Sequence, residues 1–273
     1  MSGLFESLRE CLTLELPVAL ATVVTVDPAA GAGAPTLGAK LLVRPGESPL
    51  GSLGDAGLDR VVARDLAAAL EVGRTTTRHY GRHGEARADE VTVFLESFAA
   101  PPRMIVFGAM DFTGALARLA KLLGYRVTVC DPRPVFATRS RFPMADEIVV
   151  DWPDRYLARV GDALTPRDAL CVLTHDPKFD VPAIIGALRT EVGYIGAMGS
   201  RGTVAKRNAR LSEAGVSAEE LTRVMAPIGI DIGSRSPEET AVSICAEIIA
   251  VRSGRVSAAS LRDLAGPIHA GRR

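Results

Sequence analysis

The sequence predicts an α/β fold: a carboxyl-terminal, Rossmann-like, doubly wound parallel sheet preceded by a smaller α+β domain. Three observations carry this. From residue 103 onward, strand-like runs alternate with helix signals, the pattern of a parallel sheet. Those runs, "RMIVFGA", "RVTVCD", "EIVVDW", "ALCVLTH" and "VGYIGAMG", are apolar almost throughout, as strands buried on both faces must be. Between two different patterns stands "AAPPR" (99–103), whose prolines block regular structure, which predicts domains at 1–98 and 103–273.

In the first domain, Leu4, Phe5, Leu8, Leu12 and Leu16 recur at helical spacing, and Pro17 stops that helix. "VALATVVTV" and "AKLLVRP" read as strands joined by a Pro/Gly-rich turn at 28–38. "LDRVVARDLAAALEVG" is an amphipathic helix closed by Gly73. "RTTTRHYGRHGEARADE" is polar and poorly patterned, and "EVTVFLESF" is a further strand. In the second domain, Ser217 with Glu220 forms a capping box before "ELTRV". Ser236-Pro237 with Glu239 opens a helix to about Arg252, with Gly254 behind it.

The chain has 273 residues, 47% of them apolar, and zero formal net charge. Sizeable cores are therefore expected, and nothing points to nucleic acid or an acidic membrane surface. Of 32 Lys and Arg residues 28 are Arg, so a lone Arg says little about an anion site. Cys11, Cys130, Cys171 and Cys245 form no C-x-x-C pair and read as small buried hydrophobes in a reducing compartment. The opening "MSGLFESLRECLTLELP" lacks the regions of a signal peptide, and "VALATVV" is far below the ~18 residues a spanning helix needs. A soluble, cytoplasmic protein is expected. His79 and His83 are four apart, but Gly81 and Gly84 argue against a helix there, and no metal site is expected.

"VFGAMDFTGALARLAKLLGYRVTVCD" (106–131) has the layout of a dinucleotide-binding βαβ unit with altered glycines. Gly108 suits the turn. Met110 stands where the backbone should approach a pyrophosphate, and Thr113 where a third glycine packs. Asp111 sits where the helix begins, could cap it, and would repel a phosphate. Asp131 stands where a ribose hydroxyl would be held. The turn either binds a dinucleotide or is structural and binds something else.

Three further stretches fall where an α/β sheet keeps its crevice. "YIGAMGSRGTVAKR" offers Gly199, Ser200, Arg201 and Thr203 at a helix start, an anion nest or an ordinary βα turn. "LTHDPKFD" brings out Thr174, His175 and Asp176. Asp176 and Asp180 could merely cap the next segment, which would not explain His175. "APIGIDIGSRSPEE" sets Asp231 and Arg235 in a loop that closes over a site or is a tight connection. No G-x-S-x-G, H-E-x-x-H or G-x-x-x-x-G-K-[ST] motif occurs.

Read together, these motifs resemble the XdhC/CoxI family, the accessory factors of xanthine dehydrogenase and related molybdenum hydroxylases. The likeness covers nearly the whole chain, from "PVALATVV" and "GAKLLVRPGESPLGSL" through "YIGAMGSRGTVAKRNARL" and "APIGIDIGSRSPEETAVSICAEI" to the tail "LRDLAGPIH". The resemblance implies a protein that binds molybdenum cofactor (molybdopterin), assists its sulfuration and hands it to an apo-hydroxylase of xanthine dehydrogenase or carbon monoxide dehydrogenase type. The partners it implies are the large subunit of that hydroxylase and a sulfurtransferase, and a homodimer is the default for such a fold. Arg201, with the Gly199 and Ser200 amides, is then expected to clamp the pterin phosphate. The alternatives are an NAD(P)-dependent oxidoreductase, with His175 or Tyr194 as proton donor, and a divergent nucleotide-binding member without cofactor insertion. The chain departs from the family in three places. Gly57 and Asp59 stand where a cysteine and a glutamate are usual, a second Cys-Gly-Gly loop is missing, and the usual G-A-G-H-V-G turn is "GAMDFT". Thiols that touch molybdenum or carry sulfur in relatives cannot act that way here.

Overall fold

The computed structural model describes residues 2–28, 35–85 and 89–254. The chain divides into two compact units, Met1–Ala100 and Pro101–Arg273. The tail "LRDLAGPIH" and most of the Pro/Gly turn after the first strand lie outside the described residues. No helix among the described residues is long and apolar enough to cross a membrane.

The first unit runs α1 (Ser2–Thr13), β1 (Val18–Val26), β2 (Lys40–Val43), β3 (Leu50–Ser52), α2 (Ala56–Glu71), β4 (Thr76–Tyr80) and β5 (Val91–Phe98). Its strands form one antiparallel sheet in the order β3-β2-β1-β5-β4. Strand alternation assigns the two faces. Ala19, Ala21 and Val23 of β1 and Val91, Val93 and Leu95 of β5 pack under Leu58, Val62, Leu66 and Leu70 of α2. Val18 and Leu20 turn the other way, toward Cys11 of α1. Each fully buried leucine there contributes about 1.5–3 kcal/mol. Helix α2 starts where Asp55 accepts the Leu58 N–H at 2.9 Å. It ends before Gly73, which takes the left-handed conformation at φ 63°.

The second unit runs β6 (Arg103–Phe107), α3 (Asp111–Leu122), β7 (Arg126–Cys130), β8 (Glu147–Val149), α4 (Pro153–Val160), β9 (Ala169–Val172), α5 (Pro177–Leu188), β10 (Tyr194–Ala197), α6 (Arg201–Glu213), α7 (Ala218–Leu221), β11 (Val224–Met225) and α8 (Pro237–Arg252). All strand pairs are parallel, in the order β11-β10-β9-β6-β7-β8. Alternate residues feed two cores. Met104, Val106, Val127, Val129, Ala169 and Cys171 meet α3 and α8. Ile105, Phe107, Cys130, Leu170, Val172 and Ile195 meet α4, α5 and α6. The sheet is thus doubly wound, and both faces are dry, which is why its strands read as unbroken apolar runs. Both expected capping boxes form: Ser217 with Glu220, and Ser236 with Glu239.

The position at which the family resemblance leads a cysteine to be expected is packed shut. Gly57 lies in the first turn of α2, and a Cβ there would stand 2.6 Å from the His83 carbonyl oxygen. His83 Nδ1 pairs with Asp55 at 2.8 Å, holding that turn against the helix start. Asp59 is likewise engaged, accepting from the Ser52 hydroxyl and the Leu53 N–H at 2.7 Å each. A Gly→Cys change gains up to about 1 kcal/mol of helix propensity, whereas forcing a side chain into a filled site costs about 1–3 kcal/mol. Overpacking wins, so Gly57→Cys should lower the urea midpoint of this unit. A midpoint at or above wild type would show that the turn yields freely.

Candidate functional site

β6 and β9 are neighbours, but the helices that follow them go to opposite faces, α3 to one and α5 to the other. Open α/β sheets keep their ligand crevice at such a point, just beyond the carboxyl ends of the strands. A pocket of about 400 Å³ lies there, lined by Met110, Arg133, Thr174, His175, Asp176, Pro177 and Phe179. That volume falls within the roughly 300–1,000 Å³ of small-molecule sites.

The floor is built from Asp131, only 1% exposed. One carboxylate oxygen accepts the Ala109 N–H at 2.8 Å and Arg133 Nη2 at 2.7 Å. The other accepts the backbone N–H and Nε of Arg133, each at 2.9 Å. Burial alone would raise its pKa. The Arg133 side chain, then the Ala109 and Arg133 amides, outweigh burial and hold the carboxyl below the usual carboxylate range. Gly108, at φ 108°, makes the turn. A Cβ on it would lie 2.9 Å from the Thr174 methyl, so the two turns touch. Its N–H goes to the Cys130 carbonyl, and the Met110 N–H goes to the Thr113 hydroxyl at 3.3 Å. That hydroxyl in turn donates to the Gly108 carbonyl. Asp111 does not cap α3. It is the first helical residue, its side chain is exposed, and its carboxylate lies 3.5 Å from Arg141. Three backbone donors of this turn, Gly108, Ala109 and Met110, are taken by the protein itself.

The β9–α5 turn supplies the opposite wall. Thr174 is buried, its hydroxyl donating to Asp180 and accepting the Asp176 N–H at 3.2 Å. Asp176 caps α5 through the Lys178 N–H and pairs with Lys178 Nζ at 3.3 Å. His175 is exposed and makes no hydrogen bond among the described residues. Arg133 was not singled out from the sequence. Its guanidinium stacks 4.5 Å from the Phe136 ring centroid and 5.8 Å from that of Phe179, which Trp152 backs at 5.1 Å. With Nε and Nη2 on Asp131, its Nη1 has no hydrogen-bond partner among the described residues. The pocket therefore offers two unspent polar groups, Arg133 Nη1 and His175, between a thioether and an aromatic wall. Such a set suits a flat molecule that carries an anionic group.

The other expected residues lie elsewhere on the same edge. Ser200 caps α6 by accepting the Thr203 N–H at 3.2 Å. Gly199 turns at φ 150° and Arg201 is exposed, without a partner among the described residues. Asp231 accepts only the Gly233 N–H at 3.4 Å, and Arg235 uses its backbone N–H on Glu239 at 2.7 Å. Their loop is pinned from below by Glu247, which takes the Gly229 N–H and the Tyr194 hydroxyl, and by Ser243, which donates to the Ile230 carbonyl. Tyr194 is buried and donates its hydroxyl to Glu247, and it is not among the residues that line the pocket. The four cysteines are buried as well. Burial pushes Cys130 to about 12 and Cys245 to about 11, and raises Cys171 too. Among the described residues no three His, Cys, Asp or Glu side chains gather to hold a metal.

The XdhC Rossmann domain model matches residues 104–248, and the XdhC and CoxI family model matches residues 11–81. A probable xanthine dehydrogenase subunit from Bacillus subtilis is 36% identical over 165 residues, 60% of this chain and 47% of that protein. The molybdenum cofactor insertion chaperone PaoD of Escherichia coli is 33% identical over 99 residues, 36% of this chain and 31% of that protein. The matches span less than half the length of either curated relative. A crystal structure described as a xanthine dehydrogenase from Bacillus halodurans shares the fold, with TM-score 0.51 and 20% identity over 92% of this chain and 97% of that one.

Two outcomes are expected of this geometry. NADH should bind weakly or not at all by calorimetry, because Met110 stands where the pyrophosphate would approach, Asp111 adds a negative charge there, and three of the turn's amides are already engaged. Saturable low-micromolar binding that Asp131→Asn abolishes would contradict this. Asp131→Asn should also cost about 1–3 kcal/mol of stability at pH 7, the penalty for leaving buried donors unpaired. A folded-state pKa held low contributes stability above the unfolded value of ~3.9, lost as pH falls through the folded one. The gap between variant and wild type should therefore narrow in urea titrations run from pH 7 toward pH 3. A constant gap would mean that charge plays no part.

Proposed function

The chain belongs to the XdhC and CoxI family, and on that premise we propose that it is an accessory protein that carries molybdopterin for a molybdenum hydroxylase rather than an enzyme in its own right. The observation that carries the proposal is the pocket at the β6/β9 switch point, whose unspent groups are Arg133 Nη1 and His175. The residues present fit the pterin end of the cofactor. Phe179 and Met110 can flank a flat ring, Arg133 can pair with an anionic substituent, and His175 can hydrogen-bond a ring heteroatom. Arg201, at the neighbouring helix start, is a second candidate for the phosphate. When bound, the group would supply a heteroaromatic ring and a phosphate to these contacts, and its reactivity would be expressed in the client.

The residues do not fit a thiolate-held metal or a sulfur relay. Every cysteine is buried, and the position of the missing family cysteine is filled by the His83 turn. We therefore assign any sulfuration to a separate sulfurtransferase, with this chain holding the pterin meanwhile. The proposed client is the large subunit of a xanthine dehydrogenase or carbon monoxide dehydrogenase-type enzyme in the cytoplasm, where free thiols persist.

The test is to express wild type, Arg133→Lys, His175→Ala and Arg201→Ala in a molybdenum-replete host and quantify co-purified pterin by mass spectrometry. Losing a charged hydrogen bond costs about 1.5–3 kcal/mol, so Arg133→Lys and Arg201→Ala should each lose roughly 10- to 100-fold in affinity. His175→Ala should lose less if it only orients the ring. Full pterin loading and client activation in both Arg133→Lys and His175→Ala would rule this pocket out. Wild type that carries no pterin at all would remove the proposal.

A further inference from the structure

One buried polar chain in the second unit is explained by neither the fold nor the pocket lining. Arg207, on α6, and Asp180, on α5, have side chains 4% and 3% exposed and lie 3.3 Å apart. They sit beside an apolar core containing Ala183, Ile184 and Leu211. Arg207 Nη1 also donates to the Met198 carbonyl at 2.8 Å, at the start of the β10–α6 turn. Asp180 accepts the Thr174 hydroxyl, which itself accepts the Asp176 N–H at 3.2 Å. Three side chains thus run from the turn that carries Arg201 to the turn that carries His175. The arrangement is costly. Desolvating an ion pair consumes most of what its attraction returns, and well-packed apolar residues often do as well or better. Arg207 Nε adds to the cost, since it is buried without a partner. Stability alone does not account for such a pair, whereas fixing one arrangement of two turns does.

We propose that Asp180 and Arg207 are positioning residues that hold the His175 turn and the Arg201 turn in fixed register, making the two turns one binding edge. As to what that edge binds, the inference rests on the pterin reading above. As to the coupling of the turns, it stands apart from that reading. The distinguishing variant is the double change Asp180→Asn with Arg207→Met. It discharges the pair, keeps an acceptor for Thr174 and roughly preserves volume. Its urea midpoint should equal or exceed that of wild type, because a buried pair is replaced without leaving a lone charge. Amide hydrogen exchange at residues 174–176 and at 198–203 should nonetheless accelerate about tenfold in both turns together. Pterin retention should fall by about tenfold although neither residue lines the pocket. Should that double variant fail to fold, Asp180→Asn with Arg207→Gln, which also leaves no lone charge and can still donate to the Met198 carbonyl, gives the same reading through the exchange rates. Unchanged exchange, or loosening of one turn only, would overturn the proposal. If wild type itself retains no pterin, the carrier reading fails and the exchange data still decide the coupling.

Discussion

The carboxyl edge of the parallel sheet depends on one acceptor, the Asp131 carboxylate. It takes the Ala109 amide, closing the glycine turn, and it takes the amide, Nε and Nη2 of Arg133, fixing the direction of the guanidinium. A side chain at this place in a dinucleotide fold serves the ligand. Here it serves the protein, and the change has two consequences. The turn's Ala109 donor is spent on the protein, and the pocket gains a cation held over Phe136 and near Phe179. Thr113 completes the substitution by supplying a hydroxyl where the dinucleotide fingerprint packs a third glycine.

Much of this architecture was legible in the sequence because burial on both faces leaves an unmistakable apolar record. β6, β7, β9 and β10 all fall inside runs read as strands. The strands that escaped are β3, β4 and β11. β3 is three residues and exposed, β4 reads "TTRHY" with one buried side chain, and β11 has two residues. These three edge strands have little to bury, so their composition carries little signal. Within the site, the altered glycine pattern marked the turn as departing from the dinucleotide fingerprint. The replacement did not announce itself. Arg133 is one of 28 arginines, and only the turn after β7 reveals that its partner is the aspartate two residues before it. Nothing in the sequence singles out Pro177 and Phe179, which the β9–α5 turn places in the lining of the same pocket as Met110.

His83 shows the same limit in the first unit. Its spacing from His79 suggested a metal question and answered it in the negative. The structure gives it a different partner, Asp55, and uses its carbonyl to occupy the space where a cysteine would stand. A glycine at position 57 is therefore built into the packing and is more than a lost ligand. The neighbouring Asp59 reaches only the β3 end and the Leu53 amide.

What the edge leaves unspent also bears on how it would work. Its backbone donors are committed inward, at Gly108, Ala109, Met110 and Thr203 alike. Among the side chains, Arg133 at Nη1, His175 and Arg201 face out with no hydrogen-bond partner among the described residues. A dinucleotide enzyme keeps its cofactor by surrounding phosphate with fixed amides and a helix dipole. Side chains hold less rigidly, because each must give up rotamer freedom worth about 0.5–1.5 kcal/mol on binding. For an enzyme that would be a defect. For the carrier proposed here it is the useful regime, since a protein that must surrender its cargo gains nothing from a site that its client cannot outcompete. The buried Asp180–Arg207 pair fits the same logic. It fixes the turns in place while leaving the outward contacts few, so specificity comes from where the side chains stand rather than from how tightly they grip.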